Sequence, residues 1–207
     1  MKNVQLFLVA AAVALLVACA TTTKISSAWN NPGYTGGAFS DLLVVGVGKD
    51  QYARRLYEDQ LVEALAAYGA RATSSHTILP DAEQLNKADI KRAVEQHRYD
   101  AVVVTRLLAV DRETTAVPAR KYVVPAQYVN HGYYGYYRQA YQIVTEPGYT
   151  RTDTSVRLET NVYASQTEQL ARSGRSETFD PESLSDTINS ATQAITKRLA
   201  KDNVIGQ

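Results

Sequence analysis

A mixed α/β fold follows from three features of the chain. Leu42-Leu43-Val44-Val45-Gly46-Val47 and Ala101-Val102-Val103-Val104 are short, nearly continuous apolar runs, the pattern of strands covered on both faces of a parallel sheet. Between them lie segments whose apolar residues recur at helical spacing, and from residue 156 the pattern changes to a strict alternation of period two. Together these predict one domain with a parallel β-α-β-α-β first half, then an antiparallel hairpin and a C-terminal helix.

From Asp50 to Tyr68 the positions Tyr57, Leu61, Ala64, Leu65 and Tyr68 share one helical face, and Gly69 follows as a left-handed cap. Asp50 suits the N-cap of this helix. Residues 70–78 read as a weaker strand, after which Asn86 can cap a second helix carrying Ile90, Ala93, Val94 and His97 on one side. In the second half Val156, Leu158, Thr160, Val162 and Ala164 alternate with Arg157, Glu159, Asn161 and Tyr163, so this strand has one wet face. Residues 165–168 turn the chain into a hairpin partner over 169–179. Asp180-Pro181 reads as an N-cap and first-turn pair for a closing helix striped by Leu184, Ile188, Ala191, Ile195 and Leu199.

Residues 1–18 do not belong to that core. One positive charge at Lys2, an uncharged apolar run from Val4 to Val17 and small residues at its end form a secretory signal, too short to span a bilayer before the polar Thr21, Thr22, Thr23 and Lys24. Leu16-Val17-Ala18-Cys19 resembles the bacterial lipobox, which implies cleavage before Cys19 and a diacylglycerol thioether on its sulfur. Ala20 after the cysteine resembles the signal for onward sorting to the outer membrane, with the domain facing the periplasm. Residues 19–27 read as a lipidated tether, rich in Thr and Ser, and 28–37 as an irregular entry into the single α/β domain over 28–207. Cys19 is the chain's only cysteine, so neither an intramolecular disulfide nor a thiolate metal site can form, and the fold must hold by its core. With 22 basic and 21 acidic residues well mixed, no polybasic face is offered to nucleic acid or to anionic lipid, and attachment falls to the acyl chains.

Residues 122–149 hold eight of the fourteen tyrosines, including Tyr133, Tyr134, Tyr136 and Tyr137 around Gly135. No helix or strand period fits this insertion, which reads as a recognition loop because tyrosine gives large, stiff, amphipathic contact area. A lid folded back over an exposed sheet face is the competing reading.

Catalytic and metal motifs are sparse. Gly46-Val47-Gly48 lacks the third glycine of a dinucleotide loop, its place taken by Gln51, and Asp50 would repel a pyrophosphate. His76, His97 and His131 are widely spaced with no second ligand at a metal-binding interval, so no metal and no cofactor is expected; His97 should border the core at its helix end. No nucleophile elbow is present, and lipidation consumes the thiol. Glu58 and Asp59 are adjacent, which suits a solvated ion pair with Arg54 or Arg55 better than an acid/base pair.

Trp29 with Pro32, Leu43-Val44-Val45-Gly46-Val47, Arg55 followed by Glu58-Asp59 and a Leu-rich helix ending at Gly69, Leu79-Pro80, and Tyr99-Asp100-Ala101-Val102-Val103-Val104-Thr105-Arg106-Leu107 occur in an order that resembles a family of Gram-negative lipoproteins known only as a domain of unknown function. The layout is also similar to the small α/β domains of the curli secretion lipoprotein and of the amino-terminal part of the Tol-system propeller protein. The resemblance implies a lipid-anchored envelope domain. It does not cover the tyrosine-rich insertion, and fold alone does not transfer function. The function expected is therefore that of a non-catalytic envelope lipoprotein that binds or supports an envelope protein or glycan through its domain, its tyrosine segment or both. Two rivals are an envelope hydrolase or carbohydrate-active enzyme, marked by facing carboxylates in a cleft, and a subunit of a secretion assembly.

Overall fold

A computed structural model describes residues 21–79, 87–125 and 141–206. The elements in chain order are β1 (Thr22–Asn30), β2 (Asp41–Val47), α1 (Gln51–Ala66), β3 (Arg71–Ser74), α2 (Ser75–Ile78), α3 (Lys87–His97), β4 (Ala101–Val117), β5 (Arg120–Pro125), β6 (Tyr141–Glu146), β7 (Tyr149–Ala164), β8 (Leu170–Phe179) and α4 (Leu184–Lys201). They form a mixed α/β fold divided into two compact units, residues 112–153 and the remainder of the chain.

The larger unit is built on a six-stranded sheet of order β1-β8-β7-β4-β2-β3. β2 lies parallel to β3, with Asp41 opposite Arg71, and parallel to β4, with Leu42 opposite Ala101. β8 is antiparallel to both β7 and β1. The parallel half is apolar on both faces, as its runs predicted: Leu42, Val44, Ala101 and Val103 pack under α1 and α4, while Leu43, Val45 and Val102 pack under α3. Leu61 and Leu65 of α1 and Ile188, Ala191, Ile195 and Leu199 of α4 complete the first layer, joined by Leu158, Val162 and Ala164 from the alternating face of β7. Burial of these side chains against a close-packed sheet is what holds a chain without a disulfide.

Four expectations change. Residues 22–27, read as tether, are the first two-thirds of β1, which continues through Trp29 to Asn30 with a register shift between Ile25 and Ser27. Its polar composition misled because β1 is an edge strand that buries little; Thr23 bonds Thr178 by their hydroxyls and Ile25 alone packs against the core. The weak strand at 70–78 is four residues of β3 followed by a single helical turn, for a reason given by Glu58 below. The closing helix starts after Ser183, whose hydroxyl accepts from the Asp186 N–H, and not at Asp180-Pro181. Asp180 is occupied elsewhere: it exchanges two hydrogen bonds with Thr154 and has a positive φ of 43°.

The fourth change concerns the smaller unit. Tyr122 to Pro125 and Tyr141 to Glu146 are not loop but lie in the antiparallel ribbon of β5 and β6, with Tyr122 opposite Val144 and Val123 opposite Ile143. Tyr122, Val123 and Ile143 are all exposed, so neither face of the ribbon is selected for burial and no alternation appears in the sequence. Tyr133, Tyr134, Tyr136 and Tyr137 lie outside the described residues, as do Cys19, Asn86 and His131.

Candidate functional site

The site begins with a glycine. At Gly46 a Cβ would stand 3.2 Å from the Arg54 Cγ and 3.5 Å from the Glu58 Cγ, so the absent side chain lets α1 lie directly on the end of β2. β3 stops at Ser74, opposite Val44, and leaves the edge of β2 beyond that point without a strand partner on that side. Glu58 takes the strand's place. Its Oε1 accepts from the Gly46 N–H at 2.9 Å, from the Arg54 Nε–H at 3.0 Å and from the Ser75 hydroxyl at 2.7 Å; its Oε2 accepts from the His76 N–H at 2.9 Å. By capturing Ser75 and His76 the carboxylate turns the chain out of β3 into α2. Arg54 also donates to the Ser75 hydroxyl. The ion pair is thus right in its partner, Arg54, but it is not solvated: both side chains are buried. Asp59 points away, to the Ser74 hydroxyl and the His76 ring, each at 2.7 Å. Burial works to raise the Asp59 carboxyl's pKa, but the hydrogen bonds from Ser74 and His76 and the His76 charge outweigh it, and the net shift is downward.

Asp50, as expected, caps α1: its Oδ1 accepts from the Tyr52 and Ala53 N–H groups at 2.9 and 3.1 Å. Across from the cap, the buried Tyr57 hydroxyl bonds Thr105 Oγ1 at 2.8 Å, and Thr105 Oγ1 bonds Thr160 Oγ1 at 2.9 Å. Burial pushes the Tyr57 phenol up to about 12, against the pull of the two threonine hydroxyls, so it stays protonated.

Above this floor opens a cleft of about 580 Å³ between the first turns of α1 and α4, at the C-terminal ends of β2 and of the parallel part of β4. Open α/β sheets bind ligands at this end of their strands. The walls are apolar, from Val47, Leu107, Val110, Val156, Leu184 and Ile188. Val47, Leu107, Val110 and Leu184 are about half exposed, a concentration of wet apolar surface that isolated surface residues do not explain. Lys49 and Arg106 also line it. Asp50 is the one carboxylate of the lining, and its cap role engages it, so the two facing carboxylates of a glycosidase are not assembled there. A second, more open concavity of about 660 Å³ lies at the opposite edge of the sheet, beside Asp41, Arg71, His97 and Tyr99. His97 is exposed and stacks on the buried Tyr99 with ring centroids 5.7 Å apart, so only its partner belongs to the core.

On the sheet face opposite α1 and α4, Glu159 is held between Arg106 and Arg175, with contacts of 2.7 and 3.2 Å. The hydrogen bond from Arg106, with that from Arg175, draws the Glu159 carboxyl below the usual glutamate range. Among the described residues no group of three His, Cys, Asp or Glu side chains could hold a metal ion, and no helix is long and apolar enough to cross a membrane.

Neither the cleft nor the Glu58 seal was singled out from sequence. The available signal was Gly46 inside an apolar strand, twelve residues before Glu58, since an interior strand glycine often marks close approach of another group.

No family model and no curated protein matches the chain. Among solved structures it is similar to the PelC dodecamer from Paraburkholderia phytofirmans, at 11% identity over 87% of this chain and 99% of that one, with a TM-score of 0.46. It is also similar to the lipoprotein GNA1162 from Neisseria meningitidis, at 15% identity over 78% of this chain and 99% of that one, with a TM-score of 0.42.

Proposed function

We propose that the chain is a non-catalytic lipoprotein of the cell envelope, held to the outer membrane by lipid on Cys19 with its domain in the periplasm, and that the α/β domain binds an apolar element of another envelope component in the cleft between α1 and α4. The observation that carries the reading is the cleft itself: an apolar cavity of ligand size with four half-exposed aliphatic side chains at its walls, over a floor whose ionic and hydroxyl groups are bonded to one another. The one carboxylate of the lining, Asp50, is engaged as a helix cap, and the aliphatic walls favour burial of apolar surface.

The test is a photoreactive amino acid placed at Leu107 or Val110 of the full chain in intact cells. Adducts are expected from these positions and not from Tyr68, which is exposed at the end of α1 remote from the cleft walls. Equal adduct yields from Tyr68 and the cleft positions, or none from either cleft position, would refute the reading.

A further inference from the structure

We infer that the cleft between α1 and α4 is a lipid site that takes one acyl chain of a membrane phospholipid, with the headgroup left at the rim beside Lys49. This deepens the binding role proposed above and rests on its lipid anchor.

The polar groups of the floor are satisfied from within the chain. Each ionic or hydroxyl side chain of the floor already has a partner within the chain: Arg54 has Glu58 and Ser75, Tyr57 has Thr105, Thr105 has Thr160, and Thr187 bonds the Ser183 carbonyl. A polar ligand entering the cleft would lose its bonds to water and find few in return, which is costly. An aliphatic chain loses nothing and covers the half-exposed Val47, Leu107, Val110 and Leu184. Lys49, exposed on the loop between β2 and α1, has no ion pair among the described residues and matches a phosphodiester.

The start of β1 lies at the same end of the sheet as the cleft. β2 and the first part of β4 run toward the cleft. The side-chain pairs Thr105–Thr160 and Asp111–Arg157 show that β7 runs the other way, and β8 and β1 each reverse again. Three reversals bring the start of β1 to the cleft's edge of the sheet: Thr22, Phe179 and Ser155 are aligned across three strands, next to Val156 in the cleft wall. The Thr21 carbonyl accepts from the Ser190 hydroxyl at 2.8 Å, one turn along α4 from Thr187 of the cleft. Two residue steps separate Thr21 from Cys19, at most about 7 Å of chain. A lipid on Cys19 therefore holds this edge of the sheet, with the cleft, at the bilayer surface, and phospholipid is the apolar ligand at highest local concentration.

The experiment uses full-length lipidated protein reconstituted into vesicles of phosphatidylethanolamine and phosphatidylglycerol that contain a phosphatidylglycerol with a diazirine in its acyl chain. After illumination, adducts carrying the mass of the intact phospholipid are expected on peptides containing Leu107, Val110, Leu184 or Ile188. Their yield should exceed by tenfold or more that on peptides of the opposite concavity at Asp41, Arg71 and Tyr99. Leu107→Glu or Leu184→Glu, both at exposed positions, should lower cleft adducts by tenfold while the melting curve is kept. Protein that floats with the vesicles yet carries no cleft adducts, or equal adducts at both ends, overturns the lipid site and leaves the anchor standing. If Cys19→Ser protein still floats, the anchor reading fails, and the adduct map of that protein decides the lipid site on its own.

Discussion

Replacing Glu58 by alanine removes the acceptor on which four donors converge: the Gly46 and His76 N–H groups, the Arg54 guanidinium and the Ser75 hydroxyl. Arg54 would be left as a buried cation without its counter-charge, and loss of one partner from such a pair costs about 3–5 kcal/mol. Each stranded backbone N–H adds about 1–3 kcal/mol where water cannot reach it. These terms overlap because they share one acceptor, and we expect a net loss near the top of the first range, about 5 kcal/mol. That is a third or more of the stability of an ordinary domain and corresponds to a fall in Tm of about 10–20 °C for a chain of this size. Thermal and urea denaturation followed by circular dichroism measure it. The double variant Arg54→Met/Glu58→Leu separates the two contributions. A buried ion pair is often replaceable by apolar side chains without loss, but here the Gly46 and His76 N–H groups would still lack acceptors, so the double variant should stay at least about 2 kcal/mol below the parent. A Glu58→Ala protein that melts within about 3 °C of the parent, or a double variant of full stability, would refute the view that this carboxylate finishes the edge of β2.

Other expectations are more local. Leu65→Ala, at a fully buried position in the layer under α1, should cost about 2–5 kcal/mol, measured by the same melts. Since the Glu159 carboxyl titrates below its ordinary value of 4.5 in the folded chain, the stability it contributes is present above about pH 4.5 and is lost as pH falls through the lower folded value; Glu159→Gln should flatten that part of the acid-side decline in Tm. Cys19→Ser should abolish acyl labelling and release the protein from the membrane fraction after a salt wash. Replacing Tyr133, Tyr134, Tyr136 and Tyr137 by serine should weaken capture of a partner in envelope cross-linking by more than tenfold with little change in Tm, whereas loss of both would mark the segment as a lid.

What could be read from the sequence depended on burial. The runs at Leu42 and Ala101 and the stripes of α1 and α4 are where a residue's face decides its identity, and there the periodicities led to the right elements. β1 escaped because an edge strand uses its backbone more than its side chains, so Thr22, Thr23, Ser26 and Ser27 resembled a linker. The ribbon of β5 and β6 escaped for the same reason on both faces. The Glu58 seal was hidden by distance: Gly46, Glu58 and Ser75 belong to a strand, a helix and a turn, and only the packing of α1 on β2 shows that an adjacent Glu-Asp pair contains one buried and one half-solvated member. The cleft combines residues from positions 46 to 188, a grouping no local pattern can report.

The pairing of β1 with β8 also orders events during biogenesis. Thr22 leaves the ribosome long before its partner Phe179, and Phe39 likewise closes a bridge to Ile205. Such long-range closure is slow and cannot begin until β8 has been made. Until then β1 is a polar segment without its strand partner. Completion of β8 zips that segment onto the sheet, so the first strand of the fold is among the last to be paired.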